Sequence, residues 1–153
     1  MSTTTASTEA IDKIDPAWLE LIRKAGQVKE KAIAPISGFR VGAALLTAGG
    51  RCYLGCNIEN ISLSLSICAE RVAFLKALSE GETRFEALAI ISDSETVVTP
   101  CGACRQLIWE FAPAITIIMG NPGGDVQWAK ITDLLPQAFH YLVAPGIKGR
   151  VED

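Results

Sequence analysis

A chain of 153 residues, 49% of them hydrophobic, is long enough for one domain with a moderate core and too short for several. Its net charge of −3 and pI near 5.2 argue against a broad nucleic-acid surface and favour a small free molecule as partner. No apolar run reaches the roughly 18 residues of a membrane-spanning helix, and Met1 to Thr8 has neither the basic residues nor the apolar stretch of a secretory signal.

Residues 1–12 are expected to form an unstructured tail, and 13–153 a single domain. Asp15-Pro16 supplies a cap and a first-turn proline for a helix reaching to about Ala32, with Trp18, Leu21, Ile22, Ala25 and Val28 on its apolar face. Pro35 to Gly38 reads as a loop. Val41 to Thr47 and Arg51 to Asn57 flank Ala48-Gly49-Gly50 and predict a hairpin. A polar loop over 57–66 leads to a helix from Cys68, with Gly81 beyond its end. Phe85 to Ser92 is a mostly apolar, central strand. A helix from Cys101 ends before Pro113, and a strand follows over Ile115 to Met119. Asn121 to Gly124 is a turn, Val126 to Lys130 a short strand, and Thr132 to Pro136 a short capped helix. Phe139, Tyr141, Leu142 and Val143 need burial somewhere, and Trp18, Trp109 and Trp128 read as core or interface aromatics. The order αββαβαββ defines an α/β protein with a mixed sheet of about five strands and helices packed on it. A mean hydropathy of +0.28 is high for a small domain and points to apolar surface covered in an oligomer.

The chemistry is concentrated in Cys68-Ala69-Glu70 and Pro100-Cys101-Gly102-Ala103-Cys104. A catalytic zinc is held by three protein ligands and keeps a fourth position for water. Cys68, Cys101 and Cys104 can supply the three, and Glu70 the group that moves protons. A Cys-x-x-Cys on the first turn of a helix places both sulfurs on one side. Two helix N-termini aimed at one metal favour thiolate over thiol. Three thiolates overload a divalent ion with negative charge, so Arg71 and Arg105 are expected to donate to the sulfurs. Cys52 and Cys56 stand roughly 13 Å apart on one strand, too far to share an ion, and read as packing residues. His140 reads as structural or surface. Cys-x-x-Cys alone also fits a redox pair or half of a structural zinc knuckle, but neither rival accounts for Cys-Ala-Glu. Free metal-directed thiols fit a reducing cytoplasm.

From about Phe39 to Phe139 the chain resembles the small three-cysteine cytidine deaminases that act on free nucleosides. The resemblance is carried by Phe39 to Leu46, Gly55-Cys56-Asn57-Ile58-Glu59-Asn60, Ile67 to Arg71, Pro100 to Gln106, and Leu134 to Phe139. It implies a three-layer α/β/α sandwich, one zinc on Cys68, Cys101 and Cys104, and Glu70 as proton shuttle. It further implies that Asn57 and Glu59 bind ribose and base and that Phe39 packs at the base. The Ala69 backbone would hold the pyrimidine carbonyl, and the carbonyl near Thr99 would face the leaving amine. Phe139 would be lent across the interface of a homotetramer with shared active sites.

Three positions depart from the family pattern. Ile61 replaces a small residue, Leu63 a tyrosine, and Ile36 stands where tyrosine is common. They leave open a modified cytosine nucleoside of the blasticidin S type as substrate, beside cytidine and deoxycytidine. An inactive zinc-binding protein is a further alternative, opposed by the intact Glu70.

Overall fold

The sheet sorts its side chains by strict alternation, and that alternation builds two cores. In the computed structural model of the chain, residues 7–8 and 14–140 are described. Strands β1 (Ser7–Thr8), β2 (Val41–Thr47), β3 (Cys52–Cys56), β4 (Phe85–Ser92), β5 (Thr116–Gly120) and β6 (Val126–Lys130) form a mixed sheet. Its order is β1-β6-β5-β4-β2-β3, with β4 and β5 parallel and the other neighbours antiparallel. Ala43, Leu45, Leu88, Ile90, Ile117 and Met119 enter one core, beneath helices α2 (Ala69–Ser79) and α3 (Gly102–Phe111). Their strand neighbours Ala44, Ala87, Ala89 and Ile118 enter the other, beneath α1 (Pro16–Lys29). Helices therefore cover both faces, giving the three-layer α/β/α arrangement.

The local signals mostly act as expected. Asp15 accepts from Ala17 N at 2.8 Å and Pro16 opens α1. The hairpin turns at residues 48–50, where Gly50 takes φ +84°. The phenylalanines Phe74 and Phe85 pack at 5.0 Å between ring centroids, and Trp18 meets Trp128 at 5.8 Å.

Three expectations need correction. Ser7–Thr8 (β1) pairs with β6, making six strands and placing two residues of the tail in the sheet; the rest of 1–12 lies outside the described residues. Helix α1 ends at Lys29, not Ala32. Lys29 is buried there and its Nζ meets Asp93 Oδ1 at 2.5 Å. The short helix α4 (Ile131–Leu134) starts directly out of β6, with Asp133 accepting from Lys130 N, because Ile131 is drawn into the core. Phe139 is 74% exposed, so it finds no burial within its own chain; Tyr141, Leu142 and Val143 lie outside the described residues.

Two glycines set how closely helices approach. A Cβ on Gly42 would stand 1.9 Å from Ala25 O of α1. A Cβ on Gly55 would stand 2.3 Å from Ala69 O and 2.6 Å from Ala73 N of α2. Both obstacles are backbone, so neither can rotate aside. Gly55→Ala is expected to push the start of α2 off the sheet and cost about 1–3 kcal/mol, read as a lower unfolding midpoint together with weaker metal retention.

Asp93 ties α1 to the start of β2. It receives Arg40 Nε at 2.8 Å as well as Lys29, and Arg40 also reaches Glu30 at 2.6 Å. The Arg40 hydrogen bonds first, then Lys29, hold the Asp93 carboxyl down to about 2. A depressed carboxyl stabilises the fold above its unfolded value of about 4 and loses that contribution as pH falls through its folded value. Asp93→Asn should cost roughly 1–2 kcal/mol near neutrality, after allowance for solvent screening. The gap to the parent protein in denaturant unfolding should close as pH is lowered from about 5 towards 2.

Candidate active site

Two helices begin at one point. Cys68 is the N-cap of α2, with φ −74° and ψ 154°, and Cys101 is the N-cap of α3, with φ −65° and ψ 165°. Neither side chain caps its own helix. Instead the two sulfurs face each other at 3.9 Å. Cys104, in the first turn of α3 and fully buried, brings a third. All three sulfurs lie within 4.8 Å of one another. A tetrahedral ion about 2.3 Å from each thiolate sets sulfurs about 3.8 Å apart, so this cluster fits a metal with little movement. Pro100 precedes the cap and lies outside the first turn of α3.

The cysteines share protons unequally. Cys68 is lowered to about 5, first by a hydrogen bond from Cys104 and further by Arg71 and Cys101, against the opposing effect of burial. Cys104 moves the opposite way because it donates to the Cys68 thiolate and is itself buried. The two titrate as a pair, and a bound cation would draw both to thiolate. Cys52 and Cys56 are raised by burial and stand apart from this cluster, consistent with packing roles.

Arg71 Nη2 lies 3.8 Å from Cys68 Sγ and 3.3 Å from Ser66 O. Its positive charge therefore stands beside the Cys68 sulfur. Arg105, expected to do the same, is engaged elsewhere. Its Nε donates to Pro100 O at 2.7 Å, Nη1 to Leu134 O at 2.9 Å and Nη2 to Thr99 Oγ1 at 2.5 Å. Arg105 therefore braces the segment that carries Cys101, and the planar fork of guanidinium donors suits that task better than a single sulfur contact.

Glu70 sits in the first turn of α2 and is only 5% exposed. Burial, reinforced by the Cys68 thiolate, pushes its carboxyl up to about 7. A carboxyl poised there can both accept and return a proton near neutrality. Glu70, Ala69, Cys68 and Cys101 line a cavity of about 310 Å³. Phe39, Asn57, Glu59 and Thr99 line the same cavity, so the structure brings nearly all the expected site residues together. Phe139 is the exception. It is exposed outside the cavity, its backbone held by Gln106 at 2.9 and 3.1 Å. Ile36, Ile61 and Leu63 also stand outside it, exposed by 54%, 95% and 68%.

Four lining residues were not singled out as site residues from the sequence: Ser37, Val41, Ile90 and Val98. Strand alternation places Val41 and Ile90 on the α2 side of the sheet, which could have found those two. Asn57 bridges the start of β2, accepting from Val41 N at 2.8 Å and donating to Phe39 O at 2.9 Å.

Fold and cluster together present a candidate metal site beside a buried carboxyl at the mouth of two helices. The family model for the cytidine and deoxycytidylate deaminase zinc-binding region matches residues 18–120. The cytidine deaminase of Sporosarcina psychrophila is 47% identical over 78% of this chain and 89% of its own length. That of Halalkalibacterium halodurans is 48% identical over 78% and 91%. Among solved structures, the cytidine deaminase of Burkholderia pseudomallei is 44% identical with a TM-score of 0.77, covering 79% of this chain and 98% of its own. The chain belongs to the cytidine deaminase family.

The cluster predicts its own loss. Cys104→Ala should abolish stable metal retention, read as metal content per chain after dialysis. Cys52→Ala should leave that content unchanged. In the cobalt-substituted protein, the thiolate-to-metal charge-transfer absorption should disappear with Cys104→Ala and persist with Cys52→Ala.

Proposed function

We propose that the protein deaminates cytidine and deoxycytidine to uridine and deoxyuridine, releasing ammonia, with one zinc ion on Cys68, Cys101 and Cys104. The observation that carries this reading is a buried carboxyl, Glu70, lining the same cavity as Cys68 and Cys101 of the three-sulfur cluster. Cys68, Cys101 and Cys104 would hold the zinc, which would supply a water acidified to a pKa of about 7. Glu70 accepts the proton of the attacking water and delivers it to N3 of the base. It then takes the proton of the new C4 hydroxyl and passes it to the departing amine, so that the C4–N bond breaks, ammonia leaves and a C4 carbonyl remains. The Ala69 N–H, in the first turn of α2 and without an intrahelical partner, is directed to the pyrimidine carbonyl. The carbonyl near Thr99 accepts from the leaving amine. Phe39 flanks the base, and Asn57 and Glu59 bind the sugar and base.

The assembly proposed is a homotetramer with shared active sites, in which Phe139 completes a neighbour's cavity. Ile33, Ile36, Ile61, Leu63, Leu65 and Phe139 are all more than half exposed in the single chain, an apolar surface that partner subunits would cover. Ile36, Ile61 and Leu63 line none of their own cavity, so nothing in the chain's own pocket favours the blasticidin-type substrate over cytidine. Among the described residues no helix is long and apolar enough to cross a membrane, and reduced thiols support a cytoplasmic setting.

Glu70→Gln tests the assignment directly. It should retain one zinc per chain and lose about 10²–10⁴ in kcat for cytidine, measured by the fall in ultraviolet absorbance. A variant that keeps most of its kcat would remove Glu70 from the reaction.

A further inference from the structure

Two walls of the cavity, Phe39 and Glu59, are linked through the side chain of Ser37. Ser37 Oγ donates to Glu59 Oε1 and accepts from Phe39 N at 3.0 Å. Glu59 Oε2 accepts from Ile36 N at 2.8 Å and from Ser37 N at 3.1 Å. The turn presenting these donors closes through Gly38 N to Ala34 O at 2.9 Å, with Gly38 at φ +66°. That conformation is open to glycine and costly for other residues. Three donors on one carboxylate leave about one of its four lone-pair directions for a ligand. The last acceptor site therefore points where the turn aims it. Ser37 itself lines the cavity, so its hydroxyl sits between turn and ligand space.

We propose that Ser37 is a positioning residue for substrate binding, fixing the Glu59 carboxylate and the Phe39 backbone relative to each other before the nucleoside arrives. This rests on the reading of Glu59 as a substrate ligand. Ser37 acts through Glu59 and takes no part in proton transfer. It lies on an exposed turn rather than in either core, so its replacement leaves folding and the metal cluster in place.

The test is steady-state kinetics with cytidine on the zinc-loaded enzyme. Ser37→Ala should raise KM about three- to tenfold, the equivalent of losing one ordinary hydrogen bond because the serine acts only through Glu59, with kcat changed far less. Ser37→Thr, which keeps the hydroxyl, should restore most of the loss. Glu59→Ala should raise KM further, and adding Ser37→Ala to it should have little additional effect, because the two act as one unit. An unchanged KM in Ser37→Ala beside a raised KM in Glu59→Ala overturns the role of Ser37 and leaves the substrate reading intact. An unchanged KM in both overturns the role of Glu59 and this inference with it. A Ser37→Ala effect that persists in full on top of Glu59→Ala, or a loss of zinc or thermal stability in Ser37→Ala, assigns the serine a merely structural part and also overturns the proposal.

Discussion

Three sulfurs within 4.8 Å of one another, beside a buried carboxyl, are the constraint from which the site follows. Such a group of acids does not coexist in charged form without compensation. The fold answers with two helix N-termini that begin at the cluster and with the Arg71 guanidinium 3.8 Å from Cys68. Even so, the protons stay unevenly divided, with Cys68 losing its own readily and Cys104 keeping its own. A divalent cation held by the three sulfurs would offset that imbalance.

The sheet makes this placement possible. β3 and β4 each end near the site, and the following segments return as α2 and α3 with their first turns side by side. Gly55 lets the backbone of α2 rest on β3 at a distance that admits no side chain. Arg105 ties Thr99, Pro100 and Leu134 together, so that the segment before Cys101 is held from three directions. Asn57 and the turn at 36–38 do the same for the opposite wall. The cavity is a meeting of braced segments: Gly55 and Arg105 act from outside it, while Asn57 and Ser37 also line it.

The difference between local and distant signals explains what could be read from the sequence. The hairpin around Gly49-Gly50, the apolar run of β4 and the paired helix starts at Cys68 and Cys101 rest on neighbouring residues, and all were legible. The bonds of Arg105 were not, because Leu134 lies 29 positions away and its carbonyl leaves no trace in composition. Ser37 and Glu59, separated by 22 positions, meet only through the parallel bridge of Ile33 with Ile58. The end of α1 at Lys29 is likewise fixed by Asp93, 64 residues on. Propensity alone would have let the helix continue. Phe139 and the apolar rim at Ile61, Leu63 and Leu65 form a different case: their sequence marks them for burial, and the single chain leaves them exposed.

The central claim is that the cysteine cluster and Glu70 form one zinc-dependent site for deaminating cytidine. Stripping the protein of metal and titrating zinc back while following ammonia release from cytidine tests it most directly. Activity should rise in proportion to added zinc and level off at one ion per chain. Full activity in the stripped protein, or one tightly held zinc per chain with no ammonia released, would contradict the account.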